Sequence, residues 1–263
     1  MPVWDPARYL QFADHRTRPF LDLIAQIPSD AESIIDLGCG PGHLMGHLRT
    51  RWPEAHILGI DSSPEMIQAA LRGNNDPQIN YDVADIVDWN PPQPVDVIIS
   101  NAVFQWIPDQ FAVLDRVLGF LNPGGTCAVQ VPANASAPTH TTLAELAARE
   151  PYAEYLRGIA PLPATSPLEY LEFFADRGLH VNAWETTYVH VLDGDHPVFD
   201  WISGTGARPY LQALPDDLVE PFSDDLRARF REIFPTRDWG TALPFRRTFA
   251  VATLPTGPFS PGE

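Results

Sequence analysis

Short apolar runs recur along the first half of the chain, at about residues 33 to 37, 56 to 60, 79 to 83, 95 to 100 and 126 to 131. They are rich in Ile and Val and too short for buried helices, which marks them as strands. Between them apolar positions fall three and four apart, predicting helices at about 42 to 51, 64 to 72 and 109 to 121. The third helix has the clearest pattern. Asp109 stands at its N-cap, Phe111, Leu114, Leu118 and Leu121 share one stripe, and Pro123-Gly124-Gly125 is expected to end it and turn the chain into the next strand. Strands and helices in alternation predict a parallel sheet with helices on both faces, because a parallel pair needs a crossover connection.

The flanks follow a different rhythm. Residues 5 to 27 read as helical, with Phe20, Leu23, Ile24 and Ile27 at helical spacing and Pro28 ending the run. Past residue 132 a partly polar helical stretch, about 139 to 157, runs into Pro161, Pro163 and Pro167; Leu168 to Arg177 is helical and Gly178 stops it. A long strand is expected at 179 to 192, an irregular region at 204 to 242, and a last strand at 245 to 254. If the last two strands pair as a hairpin, one of them runs antiparallel to the rest. The expected organisation is a single domain over residues 1 to 254, with a helical cap over 1 to 28, insertions at about 133 to 165 and 204 to 242, and a disordered tail from Pro255 to Glu263.

Candidate chemistry gathers at the carboxyl ends of the strands, where open α/β sheets bind ligands. Asp36-Leu37-Gly38-Cys39-Gly40-Pro41-Gly42 follows the first apolar run, and Asp61 closes the second. Glycines at alternate positions allow a sharp turn and leave no Cβ between main chain and ligand. The next helix would aim free N–H groups at the same place, and an acid about 20 residues on is placed to accept both hydroxyls of a ribose. A dinucleotide fingerprint requires G-x-G-x-x-G. Here Gly42 comes one position early and His43 stands where the last glycine belongs, which disfavours a pyrophosphate. Asp61 has the alternative of capping the following helix, although Ser62 or Ser63 can take that place. Asp85 follows the third strand, suited to an adenine amino group or simply solvated, with Ile86 suited to pack on the ring. Asn101 ends the fourth strand, with Gln105 and Trp106 just beyond it.

Composition removes whole classes. The net charge of −17 opposes wholesale binding of nucleic-acid phosphates. All 17 basic residues are arginines, which excludes Schiff-base chemistry and a Walker lysine. No uncharged run is long enough to cross a bilayer, and the two cysteines, Cys39 and Cys127, lack metal or redox spacing, so a cytoplasmic protein is expected. His43 and His47 stand one turn apart but lack a third ligand, so they read as helix-surface residues and no metal is expected. There is no G-x-S-x-G elbow for acyl transfer, and Cys39 reads as a packing residue.

The compact G-x-G-x-G turn led by Asp36 resembles the first motif of the class I S-adenosylmethionine-dependent methyltransferases. Wider motifs narrow the likeness: Trp4-Asp5-Pro6, Tyr9-Leu10-x-Phe12-Ala13-x-x-Arg16-x-Arg18-Pro19, Gly59-Ile60-Asp61-Ser62-Ser63-Pro64, Asn101 with Phe104-Gln105-Trp106, and Thr205-Gly206-x-Arg208-Pro209. Together they resemble the trans-aconitate 2-methyltransferases over residues 1 to about 254, with a poor match from 133 to 165. The resemblance implies a Rossmann-like, doubly wound, mostly parallel seven-stranded α/β sheet with one antiparallel strand and helical insertions over the acceptor site. It implies S-adenosylmethionine as cofactor, S-adenosylhomocysteine as product, and methyl transfer to a carboxylate of a small polycarboxylate, trans-aconitate, giving a monomethyl ester. Asp36, Gly38, Gly40, Gly42, Asp61, Asp85, Ile86 and Asn101 would then bind the cofactor, with Asp36 facing its ammonium.

That reaction asks for positioning more than for acid–base groups, since a carboxylate with a pKa near 4 is already ionised at neutral pH. No catalytic acid or base is therefore expected. Candidates to hold the acceptor are His15, Arg18, Arg208 and Tyr210, with Gln105 and Trp106 as neutral lining; Arg18 could instead bind the carboxylate of the cofactor's methionine. Arg246 and Arg247 face opposite ways on a strand, so only one could reach a site. The residues by themselves leave open a phenol, amine or carbon acceptor, a non-catalytic binding module, and, more remotely, a nicotinamide dehydrogenase.

Overall fold

The computed structural model describes residues 13–28, 30–159 and 164–257, with side chains from Thr17 onward. Trp4-Asp5-Pro6 through Phe12, the His15 side chain, Pro161, Pro163 and the end of the tail lie outside the described residues. Two compact units are distinguished. One comprises the described residues of Val3–Val131, Thr165–Glu185 and Thr248–Glu263; the other comprises mainly those of Pro132–Ala164 and Thr186–Arg247.

The expected alternation of strand and helix is present. In chain order it runs α1 (Ala13–Ala25), β1 (Ser33–Leu37), α2 (Met45–Arg51), β2 (His56–Asp61), α3 (Pro64–Gly73), β3 (Ile79–Val83), β4 (Val95–Asn101), α4 (Gln110–Leu118) and β5 (Leu121–Pro132). There follow α5 (Pro138–Ala147), α6 (Ala153–Leu156), α7 (Pro167–Ala175), β6 (His180–Leu192), α8 (Pro197–Ser203), α9 (Arg208–Ala213), α10 (Asp216–Ile233) and β7 (Thr241–Thr253). Seven strands form one sheet in the order β3-β2-β1-β4-β5-β7-β6. β1 is paired in parallel with β2 and with β4, and β4 with β5. Strand β7 runs antiparallel, as its contacts show: the start of β5 meets the end of β7 (Leu254 N to Gly125 O, 2.8 Å), and the end of β5 meets the start of β7 (Ala133 N to Arg246 O, 2.9 Å). The hairpin expected from the last two strands therefore exists, closed by a stack of Trp184 on Phe249 at 4.8 Å.

Burial accounts for the strands. Ile34, Ile35 and Leu37 on β1 and Val97, Ile98 and Ile99 on β4 are buried, giving the near-continuous apolar runs of a sheet covered on both faces. Helices α3 and α4 start at side-chain caps. Ser63 accepts from Met66 N at 3.3 Å, and Asp109 accepts from Ala112 N at 3.4 Å. Val113, Leu114 and Val117 then bury the sheet-facing stripe of α4.

Several boundaries differ from those read in the sequence. Helix α4 stops at Leu118, because Gly119 and Phe120 turn the chain and Phe120 O already accepts from Val95 N. Leu121 is therefore the first residue of β5, not the last of the helical stripe. Pro123-Gly124-Gly125 lies inside β5 as an excursion between two paired positions, Leu121 beside Val95 and Thr126 beside Val97, with Gly124 at φ +82°. The stretch 139 to 157 forms two helices with Pro151 between them. The region expected to be irregular, 204 to 242, holds the 18-residue α10. Pro221 inside that helix costs about 3 kcal/mol, but burying Phe222, Leu226 and Phe230, spaced four apart, returns roughly 1.5–3 kcal/mol each. The apolar stripe wins. Tyr152 packs edge-on against Phe222 at 4.9 Å and donates to Asp225 at 3.0 Å, anchoring α10 within its unit.

A buried polar chain ties α4 to α7: the Tyr170 hydroxyl meets Gln110 Oε1 at 2.9 Å, and Gln110 Nε2 donates to Thr165 Oγ1 at 2.9 Å. Replacing Tyr170 by Phe leaves the Gln110 oxygen buried without that donor. The expected loss is about 1–3 kcal/mol of unfolding free energy, checked by urea denaturation with an unchanged m-value.

Candidate functional site

The glycine turn is fixed by the strand beside it. Ile60 O accepts from both Gly38 N (2.7 Å) and Cys39 N (3.0 Å), so the chain leaving β1 is folded back onto the end of β2. Asp61, the last residue of β2, then accepts from Gly40 N with Oδ2 at 3.0 Å and from Ser63 N with Oδ1 at 2.9 Å. Ser63, not Asp61, caps α3. Each carboxylate oxygen of Asp61 retains a lone pair after its amide bond, which suits it to the two hydroxyls of a ribose.

The glycines of the turn are required for different reasons. A Cβ on Gly38 would come within 2.3 Å of Val103 Cγ2, and one on Gly42 within 2.6 Å of the Tyr81 hydroxyl. Gly40 (φ +57°) meets nothing within 4 Å. Of the three turn glycines it is the one where an added Cβ would meet no atom of the described residues. The helix also begins later than expected. Gly42 to Leu44 form turns and α2 starts at Met45, so its N-terminal amides are displaced from the turn along the chain.

Asp36 lies at the carboxyl end of β1 and is 3% exposed. Burial, with the charge of Asp61 second, pushes its carboxyl from the ordinary 3.8 up to about 7. The Asp61 carboxyl is raised as well, by burial, against the lowering effect of its two amide bonds. Burial and the same two acids raise the Cys39 thiol far above its usual range, and its Sγ lies 3.6 Å from Gly40 O, in keeping with a packing role.

Ala84 N donates to Asp61 O at 3.1 Å and so brings the loop after β3 to the same end of the sheet. In that loop Asp85 is exposed and accepts from Val87 N at 3.0 Å, while Ile86 is buried in the main core. Asn101 ends β4. Ala102 follows it at φ +61°, an unusual conformation for alanine, held by a bond from its N to Gln130 O at 2.8 Å. Gln105 is buried and Trp106 half-buried, both in a short 3-10 turn. The Asn101 Oδ1 and Gln105 Oε1 atoms are buried without a hydrogen-bond partner. The open space at Gly40, the free lone pairs of Asp61, the raised Asp36 and these bare oxygens together fit a nucleoside with an ammonium-bearing head.

The remaining candidates divide between the units. Arg18, on α1, is 76% exposed beside Asp22, 3.9 Å away and one turn along. In the other unit Arg208 opens α9, its N donating to Thr205 O at 3.1 Å, and Tyr210 is buried, which raises its hydroxyl pKa. One residue missed in the sequence stands out there. His140, on α5, lies 2.9 Å from where a Cβ on Gly206 would sit and contacts the Thr139 hydroxyl through Nδ1 at 3.0 Å; burial lowers its pKa. Arg247 is 4% exposed, its guanidinium 5.0 Å over the Phe245 ring, while Arg246 turns the other way and donates to Ala133 O at 2.9 Å. The opposite facing on the strand was legible; that the inward arginine is almost fully enclosed was not. His43 also departs from expectation. It precedes α2 and both ring nitrogens are buried, whereas His47 lies on the helix. Among the described residues no group of three or more His, Cys, Asp or Glu could hold a metal.

Comparison with known proteins agrees with this geometry. A family model described as a methyltransferase domain matches residues 9–187. The trans-aconitate 2-methyltransferase of Streptomyces coelicolor is 43% identical over 267 residues, covering 97% of this chain and 88% of that protein. The protein of the same name from Mycobacterium tuberculosis is 42% identical over 257 residues, covering 96% of this chain and 97% of its own. Among solved structures, the YcgJ protein of Bacillus subtilis shares the fold, with a TM-score of 0.59 at 14% identity over 93% of this chain and 100% of that one.

The raised Asp36 pKa makes stability depend on pH. Because the folded-state pKa lies above the unfolded value, Asp36 contributes stability that is fully present below about pH 4 and is lost as pH rises through about 7. Asp36→Asn is expected to flatten the ligand-free protein's urea midpoint over this window. At pH 8 it should be more stable than the parent by an amount on the order of a few kcal/mol, read from denaturation curves across pH.

Proposed function

The chain belongs to the trans-aconitate 2-methyltransferase family, and from that premise we propose that it methylates a carboxylate of trans-aconitate, using S-adenosylmethionine and giving the monomethyl ester and S-adenosylhomocysteine. The acceptor rests on one observation: identity of 42–43% to proteins of that name extends over 96–97% of the chain, insertions included. The donor rests on the geometry around Gly40, Asp61 and Asp36. Two free, buried cysteines support work in a reducing cytoplasm.

Asp61 holds the ribose hydroxyls, Gly40 lets the ligand lie against the main chain, and Asp36, once ionised, pairs with the ammonium. Asp85, Ile86 and Asn101 complete this shell, with Gly38 and Gly42 shaping the turn. Bound there, the cofactor supplies a methyl carbon on a sulfonium leaving group, so the carboxylate oxygen gains the methyl and the sulfur keeps the electrons of the broken bond. No proton has to move, because the acceptor is already ionised. The protein's work is to align reactants, which in favourable cases lowers a barrier by roughly 7–11 kcal/mol. Within its unit Arg208 is the candidate to clamp a carboxylate that does not react, with Tyr210 beside it in sequence; Trp106, His15 and Arg18 are the candidates of the other unit. The clamp must be local, because an overall charge of −17 repels a trianion.

Transfer of labelled methyl to a panel of acids tests the reading: the rate should fall when one carboxylate of trans-aconitate is removed, and equal rates on a phenol or amine would favour those acceptors. Arg208→Met is expected to raise the acceptor KM roughly 10- to 100-fold with cofactor affinity little changed, measured by steady-state kinetics beside calorimetry. A proton on Asp36 competes with the ammonium. Cofactor affinity should therefore fall about tenfold per pH unit below pH 7, and Asp36→Asn should weaken binding and remove that slope.

A further inference from the structure

We propose that Gln105 serves the methyl donor and not the acceptor carboxylate: with Asn101 it forms a rim of bare oxygens that favours a cationic donor over its neutral thioether product. The inference rests on the cofactor reading above and deepens it.

The orientation of the Gln105 amide is fixed by its neighbour. The nearest group is the Ala102 carbonyl oxygen, 2.7 Å from Nε2. A carbonyl only accepts, so the amide nitrogen must face it; the flipped amide would set oxygen against oxygen. Oε1 is thereby committed to the other side. It is buried, in a residue 5% exposed, and has no hydrogen-bond partner among the described residues. Asn101 Oδ1 is in the same condition. Folded proteins rarely leave buried oxygens bare, and two of them within five residues point to a donor or positive charge that a ligand brings.

The location agrees. Asp36 is in register with Ile99 on the neighbouring β4, and Asn101, two residues beyond Ile99, falls on the same face one step closer to the carboxyl end of the sheet. Residues 101 to 106 are pressed against the glycine turn, since Val103 occupies the space a Cβ on Gly38 would need. Ala102 is kept at positive φ to start that path. Asp36, Asn101 and Gln105 thus lie on segments that meet at the turn, and the unpaired oxygens of Asn101 and Gln105 are acceptors. Such oxygens repel a carboxylate and attract a sulfonium or ammonium. Once the methyl has left, the sulfur is neutral and that part of the attraction disappears, which favours release of product.

Calorimetry on the full chain tests this without turnover. The Gln105→Met variant keeps side-chain length and removes the oxygen. It should lower the ratio Kd(S-adenosylhomocysteine)/Kd(S-adenosylmethionine) about tenfold, mostly by weakening the methylated ligand. General damage to the loop would weaken both ligands together and leave the ratio unchanged, and that result overturns the proposal. A second measurement needs no variant. On the unmodified protein, the analogue bearing an ammonium in place of the methylsulfonium should bind about tenfold more tightly than S-adenosylhomocysteine; equal or weaker binding overturns the proposal. If the unmodified protein bound none of these adenosyl ligands, the cofactor reading would fail and this inference with it, a result distinct from binding without charge preference.

Discussion

Two carboxylates held close together beneath a peptide turn set the conditions for the rest of this structure. Asp36, one residue from the end of β1, pairs with Gly59, two residues before Asp61 at the end of β2, so the two acids fall on one face of adjacent parallel strands. Burial first, and the like charge of Asp61 second, oppose ionisation of Asp36, whose carboxyl shifts to about 7. Asp61 is partly relieved by two backbone amides, one of them from Gly40. The turn therefore does two things with one hydrogen bond: it steadies an acid, and it places the bare Gly40 backbone beside it.

The surroundings of the turn are packed so that it has little freedom. Val103 fills the space beside Gly38, Tyr81 and Ala70 close on Gly42, and Met45 and Cys39 crowd Gly59 on β2. Besides the turn itself, these contacts come from β3, α2, α3 and the loop after β4, so a change in any of them would move the turn. A site that works by alignment requires that rigidity, since misplacement by an ångström costs rate steeply. The strain at Ala102 belongs to the same arrangement, because it sends residues 101 to 106 against the turn rather than away from it.

The insertion unit has a separate internal order. Phe222, Leu226 and Phe230 give α10 its buried stripe, Tyr152 anchors it, and an aromatic group of His190, Trp201 and Phe245 encloses the base of β7. Arg247 is enclosed beside that group, and Arg208 opens a helix two residues after a glycine that His140 would crowd.

By itself the sequence determined the sheet, the glycine turn with its two acids, the antiparallel end of the sheet and the family, because each is written in local periodicity or in motifs of fixed spacing. It misjudged the end of α4, where strand pairing takes over at Phe120, and the residues 204 to 242, where burial of one apolar stripe forms a helix despite Pro221. Only the folded chain decided which glycine faces open space, how far Asp36 is shifted, that His140 meets Gly206, and which way the Gln105 amide points. Each of these depends on a neighbour distant along the chain, or on a backbone angle that such neighbours impose, and no local pattern encodes that distance.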